Sequence, residues 1–276
     1  FFWSASLPLV EATTLSHLRD RADRYGNIRL WGSVGFIVVV VGLGWLLDHT
    51  EVRALLWVVL GLLVGIVLFA RFIPEAEIGH LETEHTPLGA VLRRPEVMAL
   101  MAAAILMAAA HGPYYTFFTI YLVDTGYSKS LAGWLWALGV ICEVGVFLVM
   151  PRVLKHLGNE TVVLITLITA AVRFVLIGWW VDSMPVLLFA QLLHALTFAA
   201  YHAAAIGLIH RYCRGRNQAR GQALYNSLAF GIGGTAGTLY AGAVWQQWGG
   251  AFTFTTAAVC AAAAALVFFI KGRPAP

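Results

Sequence analysis

Charge is scarce in this chain of 276 residues: 12% are Asp, Glu, Lys or Arg, against 60% hydrophobic. Soluble domains carry roughly 25% charged residues, so a water-soluble enzyme is excluded. A disordered or nucleic-acid-binding chain is excluded as well, because each depends on a density of charge that is missing. Cysteine is scarce too. Cys142, Cys213 and Cys260 are too few and too scattered for a disulfide framework or a metal site. No HExxH, GxSxG or Walker sequence occurs, so the marks of a membrane protease or an ATP-driven pump are absent. Gly231-x-Gly233-x-x-Ala236 fits a dinucleotide fingerprint, but it lies inside an apolar run with no strand before it. It reads instead as close helix packing through Gly233, Gly237 and Ala241. No cofactor is implied.

What the chain has in abundance is long apolar runs, with a mean hydropathy of +0.78. A helix needs about 20 apolar residues to cross the hydrocarbon core. Runs of that kind fall near residues 30–48, 53–72, 97–122, 130–150, 160–181, 184–209, 219–246 and 250–270, and residues 1–16 supply part of another. The expected fold is an all-α membrane protein with eight complete transmembrane helices and a partial one. The chain opens on Phe1 inside an apolar stretch without a charged leader, so it reads as a membrane helix entered partway along.

Of the 18 Lys and Arg residues, only Arg53 and Lys129 fall in one set of alternate loops, and Arg173 lies inside a span. The remainder share the other side, which the positive-inside rule makes cytoplasmic, with the C-terminus. Topology therefore accounts for the net charge of +4 without a nucleic-acid partner. The connection from Ile73 to Glu96 is longer and more polar than the others. It suggests a cytoplasmic linker, 73–96, between the remainder of an N-terminal six-helix half, 1–72, and a C-terminal six-helix half, 97–276. Paired halves of this kind bind their solute between them in secondary transporters.

Ionisable residues at membrane depth cost at least about 2.5–3.5 kcal/mol on insertion scales, which makes them functional candidates. Here they are Glu11, His111, Glu143, Arg173, His194 and His202. The runs at 53–72 and 250–270 hold almost none and read as lipid-facing scaffold. Depth at about 1.5 Å per residue suggests two layers, Glu143 with His202 and Arg173 with His194. Trp136, Gly139 and Glu143 share one helix face by spacing, and His111, Tyr114, Tyr115 and Phe118 another. Gly112-Pro113 is expected to break the backbone there. Structural roles stand beside these: a neutralising pair for Arg173, packing for the histidines and aromatics, an interfacial position for Glu11.

Several stretches carry a resemblance. Pro8–Ile37 (PLVEATTLSHLRDRADRYGNIRLWGSVGFI), AHGPYYTFF, GYSKSLAGWLWALGVICEV and QLLHALTFAAYHAAA resemble the 3-phenylpropionic acid transporter family. That family lies in the major facilitator superfamily, related to lactose permease and nucleoside:proton symporters. The resemblance covers essentially the whole chain and implies helices four to twelve of twelve. The loop signature of the superfamily is degenerate between the runs at 130–150 and 160–181, where only Leu157-Gly158 fits. In lactose-permease-like symporters an acid, an arginine and a histidine on helices eight, nine and ten form the coupling and binding network. Glu143, Arg173 and His194 occupy those helices by this count.

The implied function is a proton-coupled symporter of a small organic solute, an aromatic carboxylate such as 3-phenylpropionate. Glu143, His202 and Glu11 form the proton-coupling set. Arg173, His194, His111, Tyr114, Tyr115, Phe118, Trp136 and Gln191 form the substrate-binding set. Sugar or nucleoside symport, drug-type efflux, and a non-transporting sensor or remnant are the alternatives. The expected partners are the solute, protons and the lipid bilayer of a bacterial inner membrane, with the protein monomeric.

Overall fold

The computed structural model describes residues 25–73, 88–213 and 217–272, all helical or connecting, with no strand among them. Glu11 lies outside the described residues. The helices are α1 (Tyr25–His49), α2 (Ala54–Ala70), the short α3 (Leu88–Leu92), α4 (Pro95–Asp124), α5 (Lys129–Leu157) and α6 (Asn159–Trp179). They continue with α7 (Met184–Ala195), α8 (Tyr201–Tyr212), α9 (Asn217–Asn226) and α10 (Thr235–Lys271). A π-helical segment, Leu196–Ala200, joins α7 to α8, and another, Ser227–Gly234, joins α9 to α10.

Six of the resulting helices are long and apolar enough to cross a membrane, and Ala54–Ala70 is a shorter apolar helix of 17 residues. The longest of the six runs from Arg220 to Lys271. It turns at Gly249, whose φ of 74° and ψ of −171° are not helical. Glycine reaches positive φ without steric cost, so the apolar pattern on either side continues in two directions. The break falls between the runs expected at 219–246 and 250–270.

Local chemistry sets the other boundaries. Pro95 starts α4 where its missing N–H costs nothing. The Ser128 side chain accepts from Leu131 N at 3.1 Å and caps α5. Gly158, with φ 76°, ends α5 and admits α6 directly after it.

Pro113 does not break α4. The helix runs unbroken from Pro95 to Asp124, and the Ala109 carbonyl that Pro113 cannot bond accepts the Tyr240 hydroxyl at 3.0 Å instead. Gly112 serves contact, not flexibility: a Cβ on it would collide with the Gly237 backbone. Gly233 and Gly237 in turn lie against the carbonyls of Ile105 and Ala109, so α4 and the α9–α10 helix touch backbone to backbone.

The core lies among α4–α8 and α10. α2 has no buried residue, and Leu56 and Trp57 stand outward, as lipid-facing side chains would. The final run differs from that expectation of scaffold. Phe254, Ala257, Ala261, Ala264 and Phe268 are buried, while Val259, Leu266 and Phe269 remain exposed. One face is core and the other faces lipid, because small residues recur at helical spacing.

Candidate functional site: a buried polar chain beside an aromatic-lined cavity

Glu143 is the central residue of α5, and Gly139 one turn earlier leaves space beside it. A Cβ on Gly139 would stand 2.9 Å from His194 Cδ2 and 3.3 Å from Gln191 Oε1. Into that space α7 projects His194, whose Nε2 lies 2.7 Å from Glu143 Oε1. Gln191, one turn before His194, accepts a hydrogen bond from the Tyr114 hydroxyl at 2.9 Å.

Arg173 on α6 completes the chain and is fully buried, at 0% exposure. Its Nε donates to the Ala190 carbonyl at 2.9 Å. Its guanidinium carbon sits 4.1 Å from the Tyr114 ring centroid and 5.4 Å from that of Phe174. Nη1 and Nη2 have no hydrogen-bond partner, nor does Gln191 Nε2. A cation over an aromatic face gains on the order of 2 kcal/mol when desolvated. Burying an unpaired charge costs several. The ring alone does not offset the burial.

Aromatic side chains pack round this chain. Tyr114 contacts Phe118, Trp136 and His194, with centroids 4.8, 4.5 and 5.2 Å away. Trp136 Nε1 donates to Thr119 Oγ1 at 3.0 Å, fixing its plane. Phe118 and Tyr114 are fully buried.

A cavity of about 400 Å³ opens beside this cluster, within the range of small-molecule sites. His111 and Tyr115 of α4 line it, as do Thr197, Phe198, Tyr201 and His202 around the first π segment. Phe198 stacks on His194 at 5.7 Å and on His202 at 6.4 Å, so one ring stands between the buried pair and the cavity wall. Phe230 and Gly234 of the second π segment close another side. Both π insertions border the cavity. Such insertions concentrate at functional sites, because they rotate side chains off the regular helical face.

The two expected layers are joined here. Glu143 meets His194, the histidine expected in the other layer, because α5 continues through Pro151 to Leu157. That places Glu143 at mid-helix, deeper than an end near residue 150 implies. Of the expected site residues, Glu143, His194, Arg173, Gln191, Tyr114, Phe118 and Trp136 form one contiguous cluster, and His111, Tyr115 and His202 border the cavity. Thr197, Tyr201 and Tyr225 also line it and were not singled out from sequence. A search confined to ionisable groups passes over hydroxyls, although Thr197 and Tyr201 follow His194 at three and seven residues.

Comparison with known proteins adds the lineage. Residues 1–256 match the family model described as MFS_1 like family. The chain belongs to this family of major facilitator transporters. It is 31% identical over 252 residues to the "Probable 3-phenylpropionic acid transporter" of Escherichia coli (strain K12), covering 90% of this chain and 66% of that protein. It is 25% identical over 281 residues to the maltose permease of Geobacillus stearothermophilus, covering 98% of this chain and 68% of the relative. The crystal structure of the nucleoside transporter NupG superposes with a TM-score of 0.79 at 15% identity, covering 98% of this chain and 73% of NupG. That likeness concerns the fold. The named relatives are transporters, and this major facilitator chain is a multi-pass membrane protein.

Proposed function

We propose that this protein is a proton-coupled symporter of a small organic solute, an aromatic carboxylate of the 3-phenylpropionate type, working by alternating access. In this reading residues 1–72 belong to the N-terminal half, 73–96 form a cytoplasmic linker and 97–276 form the C-terminal half. The described helices are then among the fourth to the twelfth of twelve. The Arg-rich loops and the C-terminus face the cytoplasm of a bacterial cell, and the protein works as a monomer in the inner membrane.

The observation that carries the reading is the 2.7 Å contact of Glu143 with His194 in the same cluster as the Arg173 guanidinium. A carboxylate that can take a proton beside a fixed cation couples protonation to the binding of an anion. With Glu143 ionised, the pair and the cation hold one another. With Glu143 protonated, Arg173 is free to attract the carboxylate of the solute. His202, stacked on Phe198 at the cavity, stands on the route between solvent and the pair.

The test is solute-driven proton movement in de-energised cells. External pH rises on adding 3-phenylpropionate, and Glu143→Gln abolishes uphill uptake while sparing exchange of solute for solute. Unchanged accumulation in Glu143→Gln would remove the proton role. A second reading has its own observation: the polar groups at the cavity surface are hydroxyls and imidazoles, with Arg173 closed off behind Tyr114. Such a lining suits an uncharged sugar or nucleoside, and pH movement with one of those alone would favour it.

A further inference from the structure

Three donor nitrogens that accept nothing and donate to nothing sit around one tyrosine ring. They are Nη1 and Nη2 of Arg173 and Nε2 of Gln191. Tyr114 links them, since its face covers the guanidinium at 4.1 Å and its hydroxyl is bonded to Oε1 of the same Gln191 amide. Arg173 and Gln191 are both fully buried, in the setting where unsatisfied polar groups cost most. Nη1, Nη2 and Nε2 are all donors, two of them on one cation, and such a set is chemically the complement of a carboxylate, which supplies acceptors and negative charge together. A neutral hydroxyl would satisfy one donor and leave the charge unpaired.

One backbone tie sets the floor of the cluster. Arg173 Nε is tied to Ala190, the residue before Gln191, so guanidinium and amide are held in register by one short piece of α7. Gly139 has no side chain to crowd the Gln191 carbonyl end. The Tyr114 ring covers the guanidinium from the α4 side. Its neighbours on α4, His111 and Tyr115, already line the cavity, so Tyr114 stands where cavity and cluster meet.

We propose that Tyr114 is the lid of an occluded carboxylate receptor. Arg173 Nη1 and Nη2 with Gln191 Nε2 form its floor, and the Tyr114–Gln191 hydrogen bond is its catch. This rests on the carboxylate reading above and adds a specificity element: the solute exchanges the ring face for its own anion. Tyr114 acts as a positioning residue, while Arg173 and Gln191 touch the solute.

The test reads the lid directly. The intact protein in nanodiscs is treated with phenylglyoxal, and adduct formation at Arg173 is followed by peptide mass spectrometry against the exposed Arg152. Arg173 is expected to react far more slowly than Arg152 in the wild type. In Tyr114→Phe, which loses the catch and keeps the ring, the rate rises about two- to tenfold, the worth of one hydrogen bond. In Tyr114→Ala it approaches that of Arg152. Added 3-phenylpropionate slows the Arg173 reaction in both variants and leaves Arg152 unaffected. If both variants leave Arg173 as unreactive as in the wild type, or if the wild type reacts at the Arg152 rate, there is no lid. Should Tyr114→Ala not fold, Tyr114→Phe alone decides. Reactivity without protection by the carboxylate, but with protection by an uncharged aromatic, keeps the lid and overturns the carboxylate receptor.

Discussion

Arg173 poses the sharpest energetic question among single residues. It is held by one backbone hydrogen bond and two ring faces, with two of its nitrogens unpartnered. A residue kept for stability alone would be paired, because replacing a buried charge by an apolar side chain of similar size is often neutral or stabilising. Arg173→Met is therefore expected to unfold within a few degrees of the wild type or above it, while losing saturable binding of 3-phenylpropionate. Thermal unfolding in detergent and equilibrium binding measure the two halves of this expectation. A fall of about 3–5 kcal/mol in stability, the cost of breaking a buried ion pair, would return Arg173 to a structural role. The residue was legible in the sequence as a charge inside an apolar run. Its enclosure by Tyr114 was not, since that contact joins α6 to α4 across 59 residues of chain.

At the scale of elements, helix approach is governed by glycines at four-residue spacing. The Gly233, Gly237 and Ala241 stripe reads from the sequence as an interface, and Gly233 and Gly237 meet α4 backbone to backbone. Its partner glycine, Gly112, is masked in the sequence by the proline beside it. Gly112→Ala or Gly237→Ala should destabilise the protein by about 1–3 kcal/mol, the usual cost of overpacking. Gly231→Ala, where nothing lies within 4 Å, should be neutral apart from a small helix-propensity gain. Equal effects at Gly231 and Gly237 in thermal unfolding would contradict this packing. The π segments have no comparable signature. An extra residue in a turn is decided by which neighbours accept the displaced side chains, and apolar periodicity is almost unchanged by it.

Across the whole molecule, α1 is fastened to the beginning of α5. Both carboxylate oxygens of Asp48 accept backbone hydrogen bonds at 2.9 Å, from Lys129 N and Ser130 N. The Ser130 hydroxyl donates to the same carboxylate, and Lys129 Nζ donates to the Leu47 carbonyl at 2.8 Å. Gly44 and Gly133 let the two helices approach to backbone contact. In the proposed division into halves this contact crosses from one to the other, and in the proposed topology it lies at the outer face, so alternating access must open it. Asp48→Ala should raise deuterium uptake in the first turn of α5 by about two- to tenfold, through loss of the hydrogen-bonded cap. Addition of a transported solute to the wild type should raise it in the same peptide. If neither changes exchange there, the contact is not a moving part.

The residues alone determined the membrane setting, the apolar runs, the breaks between them and the polar candidates. These follow from transfer free energy and backbone propensity, which act on a residue and its near neighbours along the chain. The tertiary structure decided who meets whom: Glu143 with His194, Arg173 under Tyr114, Pro113 compensated by Tyr240. Depth along a helix can be counted from its ends, but the direction a side chain faces depends on where each helix truly stops and on inserted turns. A continuation of α5 through Pro151 was enough to bring Glu143 to the level of His194, because in a buried polar cluster a shift of one turn brings a different group into reach.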